Sequence, residues 1–494
     1  MNALRITAVL AAVGFAAGTA GAQGKCDINQ GSPFQLNSAK IYLNRALSPS
    51  GKPDERPKHL KSAVQVLTEK ADKIGNPVGR NWLLGKTLVA WLQQPNASTT
   101  MKRGDVGYSE NPAGAVDLLA AADSAFDVVE QAKPECVDSV TVYRRLPWSK
   151  IINRAAEAAN ADQLDSAEYY AKQSLVIYDK GPHAYNVLAS VATKKNDVQA
   201  ARAALKKTIE TSGTDTSYRK LRQTSMYNLA VLTQNVAENT EGPEKAALTK
   251  ESADLFEAYT KEVPDDPNAK TALARLRGEA GDTAAMTSIY ADMLRDPTKF
   301  TDIQLFEAGS NAARANRNQD AVKLLEAGLK KNPYYRDALF NLATTYFQLK
   351  QPEPMAPVVK RLVEVDPNNP DNWRLYAGLF QLKQNSAKGA QKKAATDTLL
   401  KYLQRSETMP VRVTFNQFTH NGGKHSLAGS VENRGDKALN NVALKIEFLD
   451  QSGSVVASQT AQVGTVAPKG SQSFTVEANQ QGIVAFRYAP IPTS

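Results

Sequence analysis

A 34-residue period constrains this chain more than any other feature. Leu339, Leu342, Ala343 and Tyr346 return 34 positions later as Trp373, Tyr376, Ala377 and Phe380. The same step back from Ala343, Met355 and Pro367 reaches Gly309, Ala321 and Pro333. A second set, Ala155, Ala167 and Ala171, returns at the same spacing as Ala189, Ala201 and Leu205. Small residues let two helices of one unit approach closely, and large apolar residues can be buried only against the next unit; this is the logic of a helix-turn-helix solenoid. Such an array offers surfaces and grooves, with no reaction centre of its own.

From about Pro33 to Arg405 the chain is rich in Ala, Leu, Lys, Glu and Gln at helical spacing, broken by short polar or proline-bearing turns. Asn81, Leu84, Gly85 and Leu88 read as another first helix, and Leu229-Ala230 with Ala253 and Phe256 as a unit with lengthened helices. The spacing predicts about nine helical pairs over 33–405. The segment Leu36 to Leu47 covers one end of the stack and the helix from Ala390 to Leu403 the other.

This pattern resembles the tetratricopeptide repeat family. Leu339, Leu342, Ala343, Tyr346, Val359, Leu362 and Pro367 occupy the family positions, with Met355 where a small residue is usual; the preceding unit supplies Gly309, Ala321, Leu325 and Pro333. The resemblance implies a superhelix whose first helices line a hollow face. Asn186, Ser190, Thr193 and Lys194, then Phe306 and Ser310, then Phe340, Thr344 and Phe347, then Arg374 would point into it. These amides, hydroxyls and aromatics would grip an extended peptide or a partner helix; an ordinary solvated or packing role is the competing reading at each position. The Lys and Asn set with which some members clamp a terminal carboxylate is not recognisable here.

After Met409-Pro410 the period changes to two. Val411, Val413 and Phe415 alternate, as do Val442, Leu444, Ile446 and Phe448, then Phe474 and Val476, then Val484, Phe486 and Tyr488. Turns such as Asn-Gly-Gly and Pro-Lys-Gly separate these runs, so 410–494 reads as an antiparallel sandwich of about 85 residues. The order of elements resembles the immunoglobulin-like FxLYD modules: Leu427, Gly429, Val431 and Asn433, then Phe448-Leu449-Asp450 with Gly453, then Pro468, Phe474 and Phe486-Arg487-Tyr488. Leu449 stands where the eponymous motif has tyrosine. Asp450 and Gly453 form a hairpin turn in this reading, and Asn433 begins another. The fold class is therefore multidomain: an all-α tetratricopeptide-like superhelix, then a small all-β immunoglobulin-like sandwich.

The amino terminus, a Met-Asn-Ala-Leu-Arg start, an apolar run from Ile6 to Ala17 and Ala20-Gly21-Ala22 before Gln23, reads as a secretory signal over 1–22. The run is shorter than the roughly 18 residues a membrane span needs. Two cysteines, Cys26 and Cys136, follow. In an oxidising compartment an even count favours one disulfide, which would restrict the unfolded chain by about 4 to 5 kcal/mol. Two separate buried thiols are the other reading.

Lys plus Arg outnumber Asp plus Glu by 60 to 50, and Lys194-Lys195, Lys206-Lys207, Lys330-Lys331 and Lys392-Lys393 are scattered along helices. Solvated faces account for them, whereas a nucleic-acid groove needs clustered cations with stacking aromatics. Gly79 to Thr87 imitates a phosphate loop but has five residues between its glycines where the Walker pattern has four. His420 and His425 flank a Gly-Gly turn with no cysteine nearby and read as solvated loop residues; His59 and His183 precede helical runs, and Asp265-Asp266 lies in a turn. No nucleophile elbow, metalloprotease motif or zinc cysteine pair occurs.

These features point to an exported, non-enzymatic scaffold of a bacterial periplasm or cell surface, holding a protein or extended peptide on its hollow face, with no cofactor, metal or nucleic acid. Two rival readings are self-assembly into homo-oligomers through solenoid ends or the sandwich edge, and contact with an envelope polymer as a glycan-binding protein.

Overall fold

The structure, a computed structural model, describes residues 26–28, 33–95, 97–421 and 423–491. The expected signal segment 1–22 lies outside the described residues. Among those residues, 19 α-helices run from Phe34 to Thr408 and six strands follow from Val411 to Tyr488. The architecture is tetratricopeptide-like helical pairs and then small antiparallel sheets. The chain divides into two compact units, Met1–Asn239 and Thr240–Ser494.

In the first unit the repeat is visible in the backbone as well as in the side chains. The helices Val137–Asn160 and Leu164–Ile177 form one pair, and Pro182–Lys194 and Val198–Ser212 the next. Each pair turns through one left-handed residue, Asp162 (φ 59°) and Asn196 (φ 58°). Behind each, the next amide reaches back to the last helical turn, Gln163 N–H to Ala158 O at 2.8 Å and Asp197 N–H to Ala192 O at 2.9 Å. This satisfies carbonyls that a helix end otherwise leaves without partners. Ala155, Ala167, Ala171, Ala189 and Ala201 are buried, as the close approach of paired helices requires.

A disulfide joins Cys26 to Cys136, whose Cα atoms are 4.9 Å apart. The short hairpin β1 (Thr100–Lys102) and β2 (Ala115–Asp117) interrupts the helical run. Strands of three residues carry no alternation, so sequence patterning gives them no signal. The phosphate-loop imitation lies inside the helix Pro77–Leu92 and is preceded by a 3-10 turn, not a strand.

The second unit repeats the same device. Asn316 (φ 59°) and Lys350 (φ 55°) turn the pairs Asp302–Arg314 with Asn318–Lys331 and Arg336–Gln348 with Pro352–Val365. Arg317 N–H reaches Ala312 O and Gln351 N–H reaches Ala312's equivalent, Tyr346 O, at 2.8 and 2.9 Å. A Cβ at Gly309 would stand 2.6 Å from Leu325, so glycine is what this crossing admits. Thr301 and Gln304 form a reciprocal cap on the first of these helices. The final helices, Pro370–Ser386 and Gly389–Thr408, pack through Tyr402 stacked on Tyr376 at 4.5 Å.

The strands β3 (Val411–Asn421), β4 (Lys424–Asn433), β5 (Leu439–Leu449), β6 (Val455–Val466), β7 (Ser471–Ala478) and β8 (Ala485–Tyr488) make two sheets, ordered β3-β4-β7 and β6-β5-β8. One core joins them: Val413, Phe415, Leu427 and Phe474 from the first sheet meet Leu444, Ile446, Phe448 and Phe486 from the second. The register of β3 on β4 slips between Phe415 and Gln417, which marks a bulge at Asn416.

This sandwich is docked on the helical layer of its own unit, which sequence reasoning did not foresee. Its anchors are repeat-equivalent. Asn332 and Asp366, 34 residues apart, are both buried in turns that follow second helices. Asn332 Nδ2 donates to Val484 O at 3.0 Å, while the Tyr488 hydroxyl donates to Asp366 Oδ1 at 2.7 Å. Tyr334 and Asn368 form the next equivalent pair. Asn368 N–H donates to the Tyr488 oxygen (2.9 Å), its carbonyl accepts from Val413 N–H (3.0 Å), and its Oδ1 accepts from Ile491 N–H (2.9 Å). Tyr334 lies so close to the β5–β6 turn that a Cβ at Gly453 (φ 86°) would stand 2.2 Å from its ring. Glycine there serves both the turn and the contact.

Candidate functional site

The ten proposed inward positions are on first helices in both units. In the first unit, Asn186 and Ser190 are half-buried on Pro182–Lys194. Their neighbours are engaged: Thr193 Oγ1 donates to Ala189 O, and Lys194 Nζ donates to Ala159 O (3.1 Å) and Asp162 Oδ1 (2.9 Å), tying its helix to the preceding turn. In the second unit, Phe306 is 4 % exposed and stacked on Tyr335 with ring centroids 4.8 Å apart. It is a packing residue, because its ring fills the gap between consecutive pairs. Ser310 Oγ accepts from Asn341 Nδ2 at 2.9 Å, and Arg374, exposed, pairs with Asp371 at 2.9 Å.

Phe340, Thr344 and Phe347 form a half-buried stripe on Arg336–Gln348, as side chains spaced by one helical turn must. Phe340 leans on Leu339, Leu362 and Val365, and Phe347 lies against Gly378. Thr344 Oγ1 is buried with no hydrogen-bond partner among the described residues. An unanswered hydroxyl costs about 1–3 kcal/mol.

One turn before Phe340, on the same helix, Arg336 and Asp337 enter a cleft of about 120 Å³ between the helical layer and the sandwich. Tyr334 and Tyr335 contribute from the helical side, and Phe415 to Phe418, Ala485 and Phe486 from β3 and β8. The Arg336 guanidinium lies 5.2 Å from the Phe415 ring centre and pairs with Asp337 at 2.8 Å. The bulge at Asn416 leaves Asn416 and Gln417 exposed at the rim while Phe415 and Phe486 are buried at the floor.

Burial raises the Asp366 carboxyl above the ordinary carboxylate range, against Arg336 and the donors Tyr488, Asn369 and Asn372. Tyr488 is raised well above its usual value by burial and by Asp366. Asp366 and Tyr488 hold the junction together and are not among the residues that line this cleft. His420 and His425 lie on paired strands, not in a loop, and face each other across β3 and β4, Nδ1 to Nδ1 at 2.6 Å; His420 is exposed, as expected, whereas His425 is buried. A tight turn between paired strands brings them together. Burial and then His425 lower the His420 pKa. Asp266 caps the helix Pro267–Glu279 and accepts from Tyr259 at 2.8 Å. Among the described residues no group of three or more metal-ligating side chains converges, and no helix is long and apolar enough to cross a membrane.

The cleft was missed by sequence reasoning, although two signals point to it. The step from Phe415 to Phe418 breaks the alternation of Val411, Val413 and Phe415, which is what a bulge does to a strand pattern. Tyr334-Tyr335 puts two large side chains in a turn, where solvent exposure would ordinarily select small polar ones.

A tetratricopeptide repeat family model matches residues 312–379. No curated protein matches. Among solved structures, the chain is similar to YrrB, titled a TPR protein with an unusual peptide-binding site, at 14% identity and TM-score 0.25, over 49% of this chain and 92% of that one. It is also similar to the human IFIT1 dimer with PPP-AAAA, at 14% identity and TM-score 0.29, over 77% of this chain and 94% of that one.

Proposed function

We propose that this chain is an exported, non-enzymatic adaptor that holds a protein or extended peptide on the first-helix face of its second unit. The observation that carries this reading is the Phe340, Thr344 and Phe347 stripe: two half-buried rings flanking a buried hydroxyl that has no partner among the described residues. Aromatic anchors with an adjacent unanswered polar atom are what an extended ligand needs for both area and register. Export rests on the amino-terminal sequence, and a Cys26–Cys136 disulfide accords with an oxidising compartment.

The test is a photo-crosslinking amino acid at position 344, compared with one at exposed Lys360, in cells that make the full chain. The reading expects adducts from 344 that vanish with Phe340→Ala plus Phe347→Ala and are absent from 360. Equal adducts from both positions, or adducts that survive the double substitution in a chain of unchanged helicity, would remove the inward face from the account.

A further inference from the structure

The cleft beside Arg336 has a chemistry unlike the stripe. Its floor is aromatic, from Phe415, Phe418 and Phe486, and its rim is polar, from Asp337, Asn416 and Gln417. Arg336 and Asp337 pair with each other, so the site carries both signs and no net charge. With these charges balanced, no excess charge selects for an ionised ligand. The amides of Asn416 and Gln417 each present an acceptor and two donors, and both side chains are exposed. Planar donor–acceptor groups set around ring faces suit a molecule with an apolar C–H face and hydroxyls around its edge. The bulge at Asn416 places two consecutive polar residues at the rim where regular alternation would turn one of them away.

We propose that this cleft binds a neutral saccharide, a pyranose ring lying on the Phe418 side of the floor with its hydroxyls bonded to Asn416, Gln417 and Asp337. The adaptor would then hold a protein on its helices and a glycan at the joint with its sandwich. The proposal does not rest on the peptide reading, because the two surfaces use different residues.

Saturation-transfer NMR on the full chain, with chitobiose, cellobiose and maltose as separate probes, tests it. Transfer to the ring C–H protons of at least one disaccharide is expected. Asn416→Ala plus Gln417→Ala, both exposed and so compatible with folding, should weaken that disaccharide by about tenfold or more. Phe418→Ala should abolish transfer, and Phe340→Ala plus Phe347→Ala should leave it unchanged. No transfer from any of the three sugars overturns the proposal, as does transfer indifferent to the rim substitutions. Loss of the crosslinked protein partner on the rim substitutions, without sugar binding, assigns the cleft to that partner and also overturns it.

Discussion

Tyr488→Phe removes one oxygen atom from the joint between sandwich and helices. That oxygen donates to Asp366 Oδ1 at 2.7 Å and accepts from Asn368 N–H at 2.9 Å, and all three residues are buried. The phenyl ring that remains fills the same space, so no cavity term enters. Asp366 keeps its Asn369 and Asn372 donors on Oδ2, at 3.1 and 3.0 Å, but Oδ1 loses its hydroxyl partner. The Asn368 amide loses its acceptor altogether. Leaving a buried group without a partner costs about 1–3 kcal/mol, so two such groups sum to about 3 kcal/mol. Hydrogen exchange of β3 in the full chain reads this directly, because Val413 N–H donates to Asn368 O across the same joint. If docking limits the opening of β3, its protection should fall roughly 150-fold, at tenfold per 1.4 kcal/mol. A loss smaller than about threefold would mean that the joint is held by apolar contact and that the hydrogen-bonded triad contributes little.

Three further outcomes follow from the same geometry. Asp366 is held above its ordinary pKa by burial; its favourable contribution is complete below about pH 4, where the unfolded chain is also protonated, and is lost as pH rises through the raised folded value. Urea melts of wild type and Asp366→Asn should therefore show a wild-type minus variant stability that declines as pH rises above about pH 4, and a constant difference refutes the assignment. Tyr290 is fully buried with a hydroxyl that has no partner among the described residues, so Tyr290→Phe should raise the stability of its unit by about 1 kcal/mol in a thermal melt, and a loss of that size contradicts the reading. Lys350 occupies the left-handed turn position that Asn316 fills one repeat earlier, so Lys350→Asn should stabilise by about 0.5 kcal/mol, measured by the same melt, with no change or a loss as the contrary result.

The helical pairs were legible because their cause is local and repeated: the same small residues are needed wherever two helices cross closely, as at Gly309 over Leu325. The turn from period four to period two at Pro410 was equally plain, since alternation of Val411, Val413 and Phe415 follows from one buried face. What stayed hidden is long-range. Tyr488 reads as an ordinary inward strand residue, and nothing in its neighbourhood announces a partner 122 residues earlier. Asn332 and Asp366 read as helix-ending residues, which they are, while their second role depends on which surface the sandwich meets. The candidate face suffered from the same gap. A position assigned by repeat phase, Phe306, is buried under Tyr335 because that neighbouring side chain is large, and phase alone carries no information about neighbours.

The sandwich is fixed to the last repeats through Tyr488–Asp366 and Val484–Asn332 rather than tethered to them. Spin labels at exposed Lys360, on a second helix, and exposed Gln459, on β6, both lie in the second unit and test this by pulsed dipolar spectroscopy. One narrow distance distribution is predicted in the wild type, broadening with Tyr488→Phe. A broad or multi-peaked distribution in the wild type would show a mobile sandwich and contradict the joint described above.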